Sequence, residues 1–266
     1  MYLKNNINLV LFLKITGQDP GVIMFNKLIE KAIGAIVLAL TKTVIEKTPD
    51  IFKELLHWWN GKSIAIIGPT ASGKNSFFNK LRGDIAPAEH IQTRGAENVK
   101  TFFFSWPLPN KSEVKFKCKN SINVGGEIDE RERYWLQSCK EADVIFYLID
   151  FDKLTNNTED TIRRIKTDFK WIASNIPKFK KESSLFIIIN KMDLIFDGYV
   201  DPSSIENELT YALSTHLERL DDATKKTLGV YTGRISGLGP MSMIDSHIFS
   251  ICFTSALQLI FDSEGK

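Results

Sequence analysis

The chain has 266 residues, 43% of them hydrophobic and 25% charged, with a formal net charge of +2. That length suits one well-buried domain plus an appendage, and the near-neutral charge gives no reason to expect a nucleic-acid binder. Cys118, Cys139 and Cys252 are odd in number and widely spaced. They exclude a disulfide framework or metal knuckle, and reduced thiols in a cytoplasmic setting are expected.

No stretch reaches the ~20 apolar residues of a membrane-spanning helix. Residues 1–23 read as a weakly ordered leader or as the product of an upstream start codon, and 24–60 as an N-terminal helical pair. Phe25, Leu28, Ile29, Ile33, Ile36, Val37, Leu40 and Val44 recur at helical spacing. Lys27, Lys31, Lys42 and Lys47 flank this apolar face. Residues 25–47 are therefore a candidate for peripheral membrane contact or a protein partner, with packing against the following domain as the alternative. Thr48-Pro49 restarts a second helix that carries Trp58 and Trp59 and ends at Asn60-Gly61.

After Gly61 short apolar runs alternate with helical patterns. Strands are expected at Ser63–Ile67, Val99–Phe104, Val114–Cys118, Val144–Ile149, Leu185–Ile189 and His247–Phe253. Pro107–Asn110 turns the second strand into the third, which makes a hairpin. Lys111, Lys115, Lys117 and Lys119 read as guards of an edge strand. Helices are expected at Asn75–Leu81, Asp129–Ala142, Glu159–Ala173 and Ser204–Leu220. This alternation predicts an α/β fold: a mostly parallel sheet with helices on both faces.

Gly68-Pro-Thr-Ala-Ser72-Gly73-Lys74 fits GxxxxGK between a strand and a helix. The glycines let backbone N–H groups face phosphates, Lys74 reaches their oxygens, and the helix N-terminus adds its dipole. Asn75 follows the lysine where a Mg²⁺-binding hydroxyl is expected. Ser76 lies one helical step, about 100°, further round, and suits an α-phosphate contact instead.

Asn190-Lys191-Met192-Asp193 follows a buried strand. It resembles the NKxD guanine-recognition motif of Ras-like P-loop GTPases. The resemblance implies that Asp193 pairs with the guanine edge, Asn190 braces loops, and the Lys191 stem lies over the ring. Ser255-Ala256 is similar to the family's SAK loop. Asn123-Val-Gly-Gly126-Glu127 resembles the DVGGQ segment of ADP-ribosylation-factor-like members, and Gln92-Thr93-Arg-Gly95 their PTxG switch segment. These likenesses imply a Ras-like six-stranded sheet, GTP/GDP as ligand, and Mg²⁺ met by Asn75 and Thr93. They also give Thr93 and Glu127 the catalytic positions.

The likeness covers about residues 62–262, with an insertion at about 196–246 inside a GTP-binding domain of residues 61–266. The departures cluster in the metal and hydrolysis machinery: Asn75, Asn123 for Asp, and Glu127 for Gln. A weakly held Mg²⁺ and slow or partner-dependent hydrolysis are expected, with a protein effector or regulator. A non-hydrolysing scaffold is the alternative. The GPTASGK loop also resembles that of tRNA prenyltransferases, which leaves an ATP-using transferase as a third reading. Asp193→Asn should shift preference from guanine toward xanthine nucleotides, because an amide replaces the acceptor-only carboxylate. Competition of GDP against XDP checks this, and an unchanged preference would remove Asp193 from the base site.

Overall fold

The computed structural model describes residue 55 and residues 57–59, 61–83, 96–99, 101–107, 113–118, 121–191, 216–243 and 246–264. The expected helix at 25–47, Thr93 and Asp193 lie outside these residues. In chain order the strands are β1 (Ile64–Ile67), β2 (Ala96–Val99), β3 (Phe102–Pro107), β4 (Glu113–Cys118), β5 (Ser121–Val124), β6 (Val144–Asp150), β7 (Ser184–Asn190) and β8 (Ile235–Pro240). The helices are α1 (Lys74–Arg82), α2 (Ile128 to Lys140, with a π turn at Arg131–Trp135), α3 (Phe151–Asn156), α4 (Thr158–Asn175), α5 (216–228) and α6 (Ser246–Glu264).

The main sheet runs β2-β5-β1-β6-β7-β8, with β2 antiparallel at one edge and every other pairing parallel. β3 and β4 form a separate antiparallel pair. The two antiparallel pairings keep one register, from Ala96↔Val124 through Phe102↔Cys118 to Pro107↔Glu113. The expected hairpin is thus one long ribbon, interrupted where β2 gives way to β3.

β6 and β7 are buried at every position. Their side chains alternate between two cores, as the pleat requires. Ile145, Tyr147, Ile149, Ile187 and Ile189 face α2 and α4, beside Trp135, Ile165 and Phe169. Phe146, Leu148, Phe186 and Ile188 face α1 and α6, beside Phe77, Phe78 and Phe253. Leu55 and Trp59 complete this second core. Trp59 packs edge-on against Phe104, and Trp58 against Phe261, so the tandem tryptophans seat their segment on the domain. Among the described residues no helix is long and apolar enough to cross a membrane.

The C-terminal segment folds otherwise than its local composition suggests. His247–Phe253 is not a strand but part of α6. Its buried residues Phe249, Cys252, Phe253, Ala256, Leu257 and Ile260 recur at helical spacing. The local apolar run looks strand-like only when cut off at Phe253. The last strand is β8, inside the span expected to be an insertion. Its glycines resemble a loop, yet they make room for an aromatic ring. A Cβ at Gly237 would lie 2.6 Å from Phe186 Cε2, and one at Gly239 3.1 Å from Phe186 Cζ. The long connection from β7 to β8 spans residues 191–234. The helix expected at Ser204–Leu220 is described from residue 216 and continues to 228.

Phe253 has no exposed surface, stacks on Phe249 and meets Phe77, Phe104 and Phe146. Phe253→Ala should cost about 3–5 kcal/mol in urea unfolding. A loss below about 1 kcal/mol would show that α6 does not close this core.

Candidate functional site

The C-terminal ends of β1, β6 and β7 meet the loop that enters α1. β1 ends at Ile67, and the turn from Gly68 to Gly73 brings the chain round to α1. Gly73 is the α1 N-cap, with φ 94° and no side-chain cap. A Cβ there would lie 2.1 Å from Asn190 Nδ2, so only glycine fits. The first turn of α1 contains no acidic residue. Its N-terminus thus combines backbone donors with a positive dipole end, a chemistry suited to an anion.

Lys74 is buried and folds over the loop, where Nζ donates to Gly68 O at 3.0 Å and Pro69 O at 2.8 Å. Burial lowers its pKa from 10.5 to about 8, the nearby Arg164 charge adds to the effect, and Asp168 and Glu127 oppose it. Ser72 Oγ is buried without a hydrogen-bond partner. The loop, the buried ammonium and this unpaired hydroxyl fit a phosphate group. Asn75 and Ser76 are half-buried on the first turn of α1.

Asn190 ends β7 and donates its amide to Ser72 O at 2.9 Å. This bond ties the Asn190-Lys191 segment to the Gly68–Lys74 loop. Lys191 takes a left-handed conformation, φ 66°, and its Nζ meets Asp150 Oδ2 at 2.7 Å. Asp150 also accepts from Lys153 N at the start of α3, and Lys153 Nζ donates to Thr70 O.

Gly126 closes the cradle from the other side. A Cβ on it would lie 2.5 Å from Thr70 N and 2.6 Å from Lys74 Nζ. Glu127 is exposed and accepts from Thr70 Oγ1 at 3.0 Å. Behind this loop, Trp135 Nε1 donates to Gly125 O and Arg164 Nη2 to Gly126 O. Arg164 Nε also meets both oxygens of Asp168, which Arg131 and Tyr147 contact as well. Asp168 is fully buried, and these donors offset the cost of burying its charge. The sequence reading missed this cluster. Its signal is a carboxylate among the core positions of α4, between Ile165, Phe169 and Ile172.

Ser255 and Ala256 are not brought to this site. Both lie within α6, where Ala256 is buried in the core, because the chain has no strand-to-loop transition there. After β8 the chain instead passes through Met241–Met243, and Met241 N donates to Ile189 O at 2.8 Å. Asn123 sits at the end segment of β5. Among the described residues no group of three or more His, Cys, Asp or Glu side chains can hold a metal ion. Compared with protein families and with curated proteins, the chain matches none.

The lowered Lys74 pKa carries a sign for stability. Below about pH 8 both states are protonated, and the folded state bears the full cost of a buried charge. Between about 8 and 10.5 the unfolded state binds the extra proton, so stability rises with pH. The protein should show this gain in thermal unfolding, and Lys74→Met should remove it. Parallel pH profiles for the two proteins would contradict the assignment.

Proposed function

We propose that this chain is a GTP/GDP-binding switch protein of the Ras-like P-loop type, with slow or partner-dependent hydrolysis. The observation that carries this reading is the Asn190–Ser72 hydrogen bond, which joins an NKxD-like segment to a phosphate-loop sequence. A six-stranded sheet with one antiparallel edge strand and helices on both faces supports it. In this reading Gly68, Ser72, Gly73, Lys74 and Ser76 hold the phosphates, and Gly126 faces their outer end. Asp193 reads the guanine edge. Met241–Met243, leaving β8 beside Ile189, takes the base-side place first expected of Ser255-Ala256.

A bound Mg²⁺ would neutralise phosphate charge. Asn75 offers it an amide oxygen without charge, with Thr93 as the other expected contact, so the residues suit a weakly held ion. The Thr70–Glu127 hydrogen bond favours a second reading, a non-hydrolysing scaffold. A carboxylate tied to the phosphate loop does not orient an attacking water, and its charge opposes a γ-phosphate.

Calorimetric titration should give GDP roughly 10⁴-fold tighter binding than ADP, because a site built to pair buried polar groups rejects a base that leaves them unpaired. Comparable affinities would overturn the guanine assignment and return the ATP-using alternative. Single-turnover GTP hydrolysis, with and without EDTA, separates the switch from the scaffold. Turnover that responds weakly to EDTA is expected of the switch, and no turnover of the scaffold.

A further inference from the structure

The Gly125–Glu127 loop is clamped from three directions. Trp135 of α2 holds the Gly125 carbonyl, Arg164 of α4 holds the Gly126 carbonyl, and Thr70 holds the Glu127 carboxylate. The clamp holds Gly126 close over the backbone of the Gly68–Lys74 loop, where a Cβ on it would lie 2.5 Å from Thr70 N and 2.7 Å from Pro69 C. A terminal phosphate shared by Lys74 and the Gly126 backbone needs a hydrogen bond of about 2.8 Å on each side, plus its own width. The loop has to lift to admit it. A diphosphate that ends at Lys74 makes no such demand.

Arg164 is the strongest of the three holds. Its guanidinium spans two targets at once, Nη2 on Gly126 O at 2.8 Å and Nε on Asp168 at 2.9 and 3.0 Å. Asp168 is fixed in turn by Arg131 and by the Tyr147 hydroxyl, both buried. The loop is thus anchored to a rigid, fully buried node and not to a mobile surface group. Lifting the loop breaks the Arg164–Gly126 bond, while leaving it down retains that bond.

Resting on the guanine-nucleotide reading, we infer that Arg164 is a positioning residue that sets preference for diphosphate over triphosphate by holding Gly126 down on the phosphate loop. A lysine at this position keeps the positive charge beside Asp168 but lacks the planar fork that reaches Gly126 as well. Arg164→Lys should therefore leave GDP affinity within about twofold. It should raise affinity for guanosine 5′-(β,γ-imido)triphosphate relative to GDP by about tenfold, the scale of one charge-assisted hydrogen bond. A merely structural loss would weaken both ligands together and leave their ratio unmoved.

The measurement is calorimetric titration of the full chain and of Arg164→Lys with both nucleotides, with ADP as control. A ratio that stays constant, or moves toward GDP, overturns the inference while GDP-over-ADP selectivity preserves the functional reading. Loss of that selectivity in the unaltered chain overturns both. Hydrogen exchange of the unaltered chain supplies a readout that no folding defect can obscure. Amides of residues 127–131, which include the Arg131 N–H bonded to Glu127 O, should exchange faster with the triphosphate analogue than with GDP. Equal or slower exchange overturns the inference.

Discussion

The register of β6 against β7 is the constraint on which the site depends. Seven parallel pairs run from Val144↔Ser184 to Asp150↔Asn190. All seven pairs are buried, with side chains alternating between the two cores, so the pairing is locked by packing on each side. The consequence appears at the last pair, where two polar residues emerge side by side at the C-terminal edge. Asn190 turns to the Gly68–Lys74 loop and Asp150 receives Lys191. A one-residue slip would exchange the two cores and dismantle both contacts. Placement of functional groups at strand C-termini is the general rule for open parallel sheets.

Charge at the site is arranged in layers. Lys74 lies innermost, buried and drawn toward backbone carbonyls. Arg164 and Lys153 contribute further positive field, and Asp168 and Glu127 moderate it. Asp168 has no exposed surface, and its two arginines and tyrosine make it a structural anchor whose donors come from three separate elements. Tyr147 is pushed well above the usual phenol range by burial and by that carboxylate, so it stays a donor. Through Arg164 this anchor reaches the loop at Gly126. The interior of the domain and the rim of the proposed nucleotide site are therefore mechanically continuous.

The closing helix and the last strand are obscure in local sequence for different physical reasons. A run such as His247–Phe253 has strand-like composition over seven residues, and its helical period emerges only when followed to Ile260. β8 is hidden for the opposite reason. Gly237 and Gly239 carry no side chain, and their role depends on the Phe186 ring across the sheet. The Asp168 cluster joins residues from α2, β6 and α4, so no local pattern exposes it. One clue was present: a charged residue at a core position of an amphipathic helix demands partners.

Local sequence alone makes legible the glycine-bearing turn between β1 and α1, the strands β1, β6 and β7, and the pairing of β3 with β4. Each is written in residues close together along the chain, as an uninterrupted apolar run, a period-two alternation or a spaced glycine pair. Tertiary structure alone decided the last strand, the closing helix, the Asn190–Ser72 bond and the hold of Arg164 on Gly126. These depend on which surfaces meet once the sheet is assembled. A ring that needs space, or a buried charge that needs donors, finds its partner in space and leaves little trace in sequence order.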